Sequence, residues 1–173
     1  MRDQSRLFIA SDANADGLLE TAWKAARKPA RGGILNLICI AEPLEVLATE
    51  LESIAERLTV ILPWGSLLRA VAAPEATSLL QIASLCSSKA NIEIVFSFDP
   101  HRDAAEGARL GIAHLDGRYI TSRLPEVYRR AGLQVEHVQA MPFRELAEYE
   151  TSWAKRLATG RERNVWRIRA TCK

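Results

Sequence analysis

The sequence predicts an α/β fold: a Rossmann-like, largely parallel sheet with helices on both faces. Short apolar runs alternate along the chain with longer segments of helical period. One run, Leu58–Leu62, is uniformly apolar, as a strand buried on both faces requires. No internal repeat or low-complexity stretch breaks this order. The 173 residues, 48% hydrophobic and 25% charged, have the composition of a soluble globular protein and read as one domain over 1–173.

Each element follows from local pattern. Arg6–Ser11 is a short strand ending at Asp12. Asp16–Arg27 is a helix with Leu18, Leu19, Ala22 and Ala26 as its buried side, closed by Pro29 and Gly32-Gly33. Asn36–Ile40 is the next strand, Leu44–Arg57 is mostly helical and Leu58–Leu62 is a strand. Pro63-Trp64-Gly65-Ser66 breaks that strand, with Ser66 placed to cap the short helix after it. Ala76–Ser87 is amphipathic, and Asn91–Phe98 alternates with Ile92, Ile94, Phe96 and Phe98 on one face. Asp99–Thr121 has no sustained period and reads as an insertion or lid-like loop. Leu124–Ala131 is a helix, Gln134–Gln139 a strand and Glu145–Leu157 helical or turn-rich. Val165–Thr171 sets Trp166, Ile168 and Ala170 against Arg167 and Arg169, the pattern of an edge strand.

Composition also excludes. No apolar run reaches the ~20 residues of a membrane span, and the opening MRDQSRLFIASD has no signal-peptide pattern. Three widely spaced cysteines suit a reducing cytoplasm. They argue against a disulfide framework or zinc site, and His101, His114 and His137 lack metal-ligand spacing. GxSxG, HExxH and Walker A motifs are absent. A cysteine nucleophile is unattractive because Cys39 and Cys86 fall in apolar elements.

Charge is unevenly spread. The net charge is +2, yet residues 151–173 carry seven Lys and Arg against one Glu, which leaves the preceding 150 residues acidic. Such a tail is either a solvated terminus or an edge facing a polyanion. Lys24, Arg27, Lys28 and Arg31 form a second basic cluster at a helix end, where a solvated C-terminus explains them almost as well.

Ligands of such sheets sit at the carboxyl ends of the strands. That rule singles out Asp12, Pro43-Leu44-Glu45 and Pro63-Trp64-Gly65-Ser66. Asp12 is either a ribose acceptor or a helix N-cap. Glu45 is either an adenine or ribose contact or a first-turn carboxylate. Trp64 falls outside any packing period and presents a ring at the ligand mouth. Trp153 is interleaved with Lys155 and Arg156, the combination that stacks bases and neutralises phosphates. Trp23 and Trp166 lie in periodic elements and read as packing residues.

Three segments carry a family resemblance: Leu62-Pro63-Trp64-Gly65-Ser66-Leu67-Leu68-Arg69, Thr151-Ser152-Trp153-Ala154-Lys155-Arg156-Leu157 with Gly160-Arg161-Glu162-Arg163, and the basic stretch Arg27–Leu37. Together they resemble the aminoglycoside-resistance 16S rRNA (adenine-1408-N1)-methyltransferases, from about Leu7 to the C-terminus and loosely over 99–150. The resemblance implies a class I S-adenosylmethionine (SAM) methyltransferase fold. It implies that Asp12 binds the cofactor ribose, Leu44 and Glu45 line the adenine pocket, and Leu62 and Ser66 help close the site. Trp64 and Trp153 are implied as the clamp on a flipped adenine. Arg27, Lys28, Arg31, Thr151, Lys155, Arg156, Arg161 and Arg163 are implied to meet 16S rRNA within the 30S subunit.

One feature departs from the family. Its Asp-x-Gly-Thr-Gly-Asp-Gly motif on the first strand has no counterpart, since only eleven residues precede Asp12 and none is glycine. The chain is therefore expected to be N-terminally truncated or to carry a misassigned start. The strands ending at Asp12 and Leu62 are expected in one sheet, with the first-strand position between them empty or collapsed. The implied chemistry suits the residues: adenine N1 is unprotonated near neutral pH, so base flipping and alignment replace a general base. Two other readings stay open, an inactive rRNA-binding remnant and a small-molecule N-methyltransferase; no metal or membrane is called for.

Overall fold

A strand of twelve residues, β4 (Cys86–Ser97), organises the larger part of the chain in a computed structural model. The structure describes residues 5–112, 115–149 and 151–173. The expected lid-like loop at 113–114, including His114, and the expected helical turn at Glu150 lie outside the described residues. The chain divides into two compact units, Met1–Glu50 and Leu51–Lys173.

In the second unit β3 (Ala55–Ile61) runs parallel to β4, while β6 (Val165–Cys172) and β5 (Leu133–Met141) complete the sheet in the order β3-β4-β6-β5. Alternation builds the inner face: Ile92, Ile94, Phe96 and Phe98 are all buried, opposite Ala170, Ile168 and Trp166 of β6. The other face of β4 carries Glu93, whose Oε2 accepts from Arg169 Nε at 3.2 Å in the directly opposed position. Cross-strand pairing of this kind lets a strand that carries arginines sit inside a sheet. The predicted edge strand is therefore interior, antiparallel to both neighbours. The edges are β3 and β5, and only the β3–β4 pairing of this sheet is parallel.

The helices α3 (Gly65–Ala72), α4 (Ala76–Ser84), α5 (Ala104–Leu110) and α6 (Leu124–Arg130) contribute Leu68, Val71, Leu79, Ile82, Leu110, Leu124 and Tyr128 to the buried set. The buried Tyr128 hydroxyl donates to the Val71 carbonyl at 2.8 Å, and burial pushes its phenol above the ordinary tyrosine range. The expected loop at 99–121 contains α5 and leads into a π-helical turn, Tyr119–Arg123. Two boundaries also move: the predicted helix at 44–57 stops at Glu50, and β3 begins at Ala55 with mixed burial along its length.

The first unit holds β1 (Phe8–Ser11), α1 (Ala15–Ala25), a 3-10 turn Pro29–Arg31, β2 (Leu37–Ile40) and α2 (Leu44–Glu50). β1 and β2 pair in parallel, from Phe8–Leu37 to Ser11–Ile40. Asn14 caps α1 by accepting from the Asp16 N–H at 3.0 Å, so Asp12 is not the N-cap. The predicted inner face of α1 is not buried: Leu18 and Ala22 are half-buried, Leu19 and Ala26 exposed, and Ala25 is the buried residue. Among the described residues of this unit Ala25 is the one that is buried, so the unit encloses little core of its own. The strand ending at Asp12 and the strand before Leu62 belong to separately hydrogen-bonded sheets. Among the described residues no helix is long and apolar enough to cross a membrane.

This contrast in burial predicts a contrast in opening. Native-state hydrogen exchange should show the amides of β1 and β2 exchanging well before those of β4 and β6. Equal protection of the two sheets would contradict the assignment of the core to the second unit.

Candidate functional site

β3 delivers its last residue into an apolar cluster, and the chain then turns sharply. The Leu62 N–H donates to the Val95 carbonyl at 2.7 Å, Leu62 is buried, and its φ of 49° lies in the left-handed region. Pro63 is buried behind it. Trp64 follows in extended backbone and is 50% exposed. Gly65, at φ +60°, opens α3 in a conformation that a side chain would strain. Trp64 rather than Ser66 is the N-cap residue, and it supplies no side-chain cap. The carboxylate of Glu106 on α5 lies within electrostatic reach of the Gly65 N–H at the start of α3. Arg109 grips that carboxylate with two bonds, 2.8 and 2.7 Å. Arg109, with the Gly65 N–H as a lesser cause and burial opposing, holds the Glu106 carboxyl below its usual range.

Trp153 is presented by α7 (Ser152–Ala158). Thr151 caps this helix, its hydroxyl accepting from the Ala154 N–H at 3.0 Å. Just upstream, the Tyr149 hydroxyl donates to Glu93 Oε1 at 2.9 Å. Ala154 is fully buried in one cluster with Leu62, Val95, Met141, Leu146 and Val165. Its neighbour Trp153 is left 44% exposed, with the Arg156 guanidinium 5.7 Å from the ring centroid. The two tryptophans therefore flank residues that share one apolar cluster. That cluster lies where β3 and β4 end and β6 begins, at the carboxyl end of the β3–β4 pair.

The arginines of the predicted basic edge divide into two kinds. Arg163 is mostly buried: its Nε donates to Ser97 Oγ at 2.8 Å and its guanidinium pairs with Asp103, whose side chain is 10% exposed. Ser97 Oγ in turn donates to the Asn164 carbonyl at 2.8 Å. Arg102 donates to the Glu162 carbonyl at 3.0 Å. The strand entry at 161–164 is thus bolted to the end of β4, and Arg163 is committed within the fold. Lys155, Arg156 and Arg161 are exposed.

In the first unit, Asp12 and the Leu44-Glu45 turn both follow the carboxyl ends of paired strands. The Ser11 hydroxyl reaches the Glu42 carbonyl at 3.4 Å and ties the two loops together. Asp12 Oδ1 accepts from the Asn14 N–H at 2.9 Å, and the carboxylate is exposed. Leu44 is half-buried and Glu45 exposed. The basic stretch begins at the end of α1: Arg27, Lys28 and Arg31 are all exposed. Gly33 returns so close to this stretch that a Cβ there would lie 1.6 Å from the Arg27 carbonyl oxygen, which only glycine avoids.

Comparison with known proteins is consistent over nearly the whole chain. The model of the family "NpmA: 16S rRNA (adenine(1408)-N(1))-methyltransferase" matches residues 1–172. The chain belongs to this methyltransferase family. A 16S rRNA (adenine(1408)-N(1))-methyltransferase of Escherichia coli is 29% identical over 172 residues, covering 97% of this chain and 77% of the relative. The crystal structure of the aminoglycoside resistance methyltransferase NpmB1 is 40% identical with a TM-score of 0.78, covering 95% of this chain and 75% of that one. A tryptophan-to-alanine mutant of the enzyme from Catenulisporales acidiphilia, solved with cosubstrate SAM, is 30% identical with a TM-score of 0.77, covering 95% and 74%. The α/β fold is that of these methyltransferases.

The family's cosubstrate can be tested against the residues present. Asp12 keeps acceptor capacity beyond its one bond to Asn14, which suits the paired hydroxyls of a ribose. Half-buried Leu44 and the Glu45 carboxylate lie on the adjoining turn, an apolar wall beside an acceptor that suits adenine. This donor set fits an adenosine. Sequence reasoning missed Asp103, Glu106 and Arg109, because α5 fell within the segment read as a loop. The Glu106–Arg109 spacing, three residues apart, was the signal of a helix there.

Two outcomes follow for this methyltransferase. Arg163→Gln removes the cation paired with Asp103, which keeps the Asp99 N–H as a partner, and should lower stability by about 3–5 kcal/mol, whereas Arg161→Gln should leave the thermal midpoint unchanged; equal midpoints would refute the division. Glu106 is the second case. With its carboxyl held below the usual range chiefly by Arg109, its ionised interaction with the start of α3 is complete above that range and is lost as pH falls through the lowered value. Hydrogen exchange around 62–68 should be flat from pH 7 down to the carboxyl range after correction for intrinsic rates. It should rise only under more acidic conditions, and Glu106→Gln should raise it already at pH 7.

Proposed function

We infer that this chain is a SAM-dependent methyltransferase that transfers a methyl group to N1 of an adenine in the decoding site of 16S rRNA. It acts on the 30S subunit in the cytoplasm, confers aminoglycoside resistance, and uses both units as parts of one methyltransferase domain. The observation that carries the reading is the pair of half-exposed tryptophans, Trp64 and Trp153, raised on one apolar cluster at the carboxyl end of β3 and β4.

The residues divide the work. Asp12 holds the ribose of SAM, Leu44 and Glu45 meet its adenine, and Leu62 and Ser66 close the site. When bound, SAM supplies an electrophilic methyl group for which an unprotonated adenine N1 needs no general base. Trp64 and Trp153 hold the flipped base between their rings, so alignment rather than proton transfer lowers the barrier. The Thr151 hydroxyl accepts from Ala154 and keeps its proton for a donor bond to the target nucleotide. Lys155, Arg156 and Arg161, with Arg27, Lys28 and Arg31, meet phosphates. Arg163 braces the strand entry that carries Arg161.

The test is methyl transfer from labelled SAM to 30S subunits, with calorimetric titration of SAM alongside. Trp64→Ala and Trp153→Ala each remove about 1–3 kcal/mol of base stacking and should abolish transfer while SAM still binds. Arg161→Gln should weaken 30S binding and flatten its salt dependence by about one unit of slope, with the methylated atom unchanged. Wild-type transfer rates in both tryptophan variants would overturn the clamp, and absence of any heat with SAM would leave an rRNA-binding protein in place of an enzyme.

A further inference from the structure

The end of α1 carries a surface that periodicity assigned to packing. Trp23 is 65% exposed, a correction to its reading as a packing residue. The Arg27 guanidinium lies 4.0 Å from its ring centroid, within cation–π range. Trp23, Ala26, Arg27 and Arg31 line a cleft of about 420 Å³. Lys24 is paired with Glu20 one helical turn away, whereas Arg27, Lys28 and Arg31 have no carboxylate partner among the described residues.

The chemistry of this cleft selects its occupant. A flat ring with one cation stacked against it and two more cations beside it offers a π face and unpaired positive charge within the same helical end. A single strand of nucleic acid needs both, because each base has a π face and each linkage a phosphate. A second copy of this chain meeting the same face would bring like charges together. We propose that Trp23 is a stacking platform for an unpaired base of the rRNA substrate, with Arg27, Lys28 and Arg31 meeting the phosphates on either side. The proposal rests on the rRNA-methylating reading above and adds a base-facing contact in the first unit. Stacking tolerates any base, so this contact recognises an unpaired, exposed nucleotide rather than a sequence. Arg27 has two tasks: its plane orients the ring, and its outward N–H groups remain for a phosphate.

The test is equilibrium binding of the full chain to purified 30S subunits over a series of KCl concentrations, with Trp23→Ala, Trp23→Phe and Arg31→Gln. Trp23→Ala should weaken binding roughly 5- to 150-fold without changing the slope of log affinity against log salt, since no cation is lost. Trp23→Phe keeps a ring and should retain most of the affinity. Arg31→Gln should weaken binding and reduce the slope by about one. Trp23→Ala binding as the wild type does, while Arg31→Gln shows its loss, would overturn the platform and leave the rRNA reading standing. A wild-type chain with no affinity for 30S subunits would sink both. Two further outcomes overturn the proposal alone: a thermal midpoint lowered equally in Trp23→Ala and Trp23→Phe, which makes the ring structural, and loss of a wild-type dimer in Trp23→Ala by sedimentation.

Discussion

The candidate site depends on one apolar cluster. Leu62 at the end of β3, Val95 in β4, Met141 at the end of β5, Ala154 in α7 and Val165 at the start of β6 pack together with Leu146. These residues come from segments that are distant in the chain, and their burial brings the two tryptophan-bearing turns to one end of the sheet. Neither ring contributes to the cluster; Trp153 stands next to a residue that does, and Trp64 two residues beyond one. Burial fixes the neighbour and leaves the ring in solvent, which gives a rigid base to an aromatic surface without hiding it. Water exclusion by these six apolar side chains thus brings the turns that carry Trp64 and Trp153 together.

Polar bonds then set the angle of each turn. Leu62 accepts a left-handed backbone because its N–H still reaches Val95 and its side chain is buried. Gly65 follows at φ +60°, and the carboxylate of Glu106, gripped by Arg109, lies within electrostatic reach of its N–H. On the other side, the Thr151 cap and the Tyr149–Glu93 bond hold α7 against β4. The same logic sorts the arginines. Arg163, with Ser97 and Asp103 as partners, is a brace, and exposed Arg161 two residues earlier is free to meet a polyanion.

The two units differ in how much they enclose. The second has a continuous buried set running from Leu68 to Ala170. The first presents Leu7, Phe8, Leu19, Trp23, Leu35 and Ile38 to solvent, with Leu35 84% exposed. Apolar exposure on that scale marks surfaces that take a partner. One of these residues, Trp23, adjoins Arg27 and Arg31 at the basic end of α1.

The sequence by itself determined the α/β class, the buried face Ile92/Ile94/Phe96/Phe98, and the family. These are local or patterned properties: a period of two, a Pro/Gly turn, a run of motif residues. It also marked Trp64 as lying outside any packing pattern and Trp153 as interleaved with cations. Only the tertiary structure decided that β6 is interior, because Arg169 is tolerated there through Glu93, seventy-six residues away. The same holds for Arg163, which the charge pattern could not tell from Arg161 until Asp103 and Ser97 were brought against it. Trp23 is the opposite case. Helical period says which residues share a face, but whether that face is covered depends on what the rest of the chain can bring to it, and here nothing described closes over the ring.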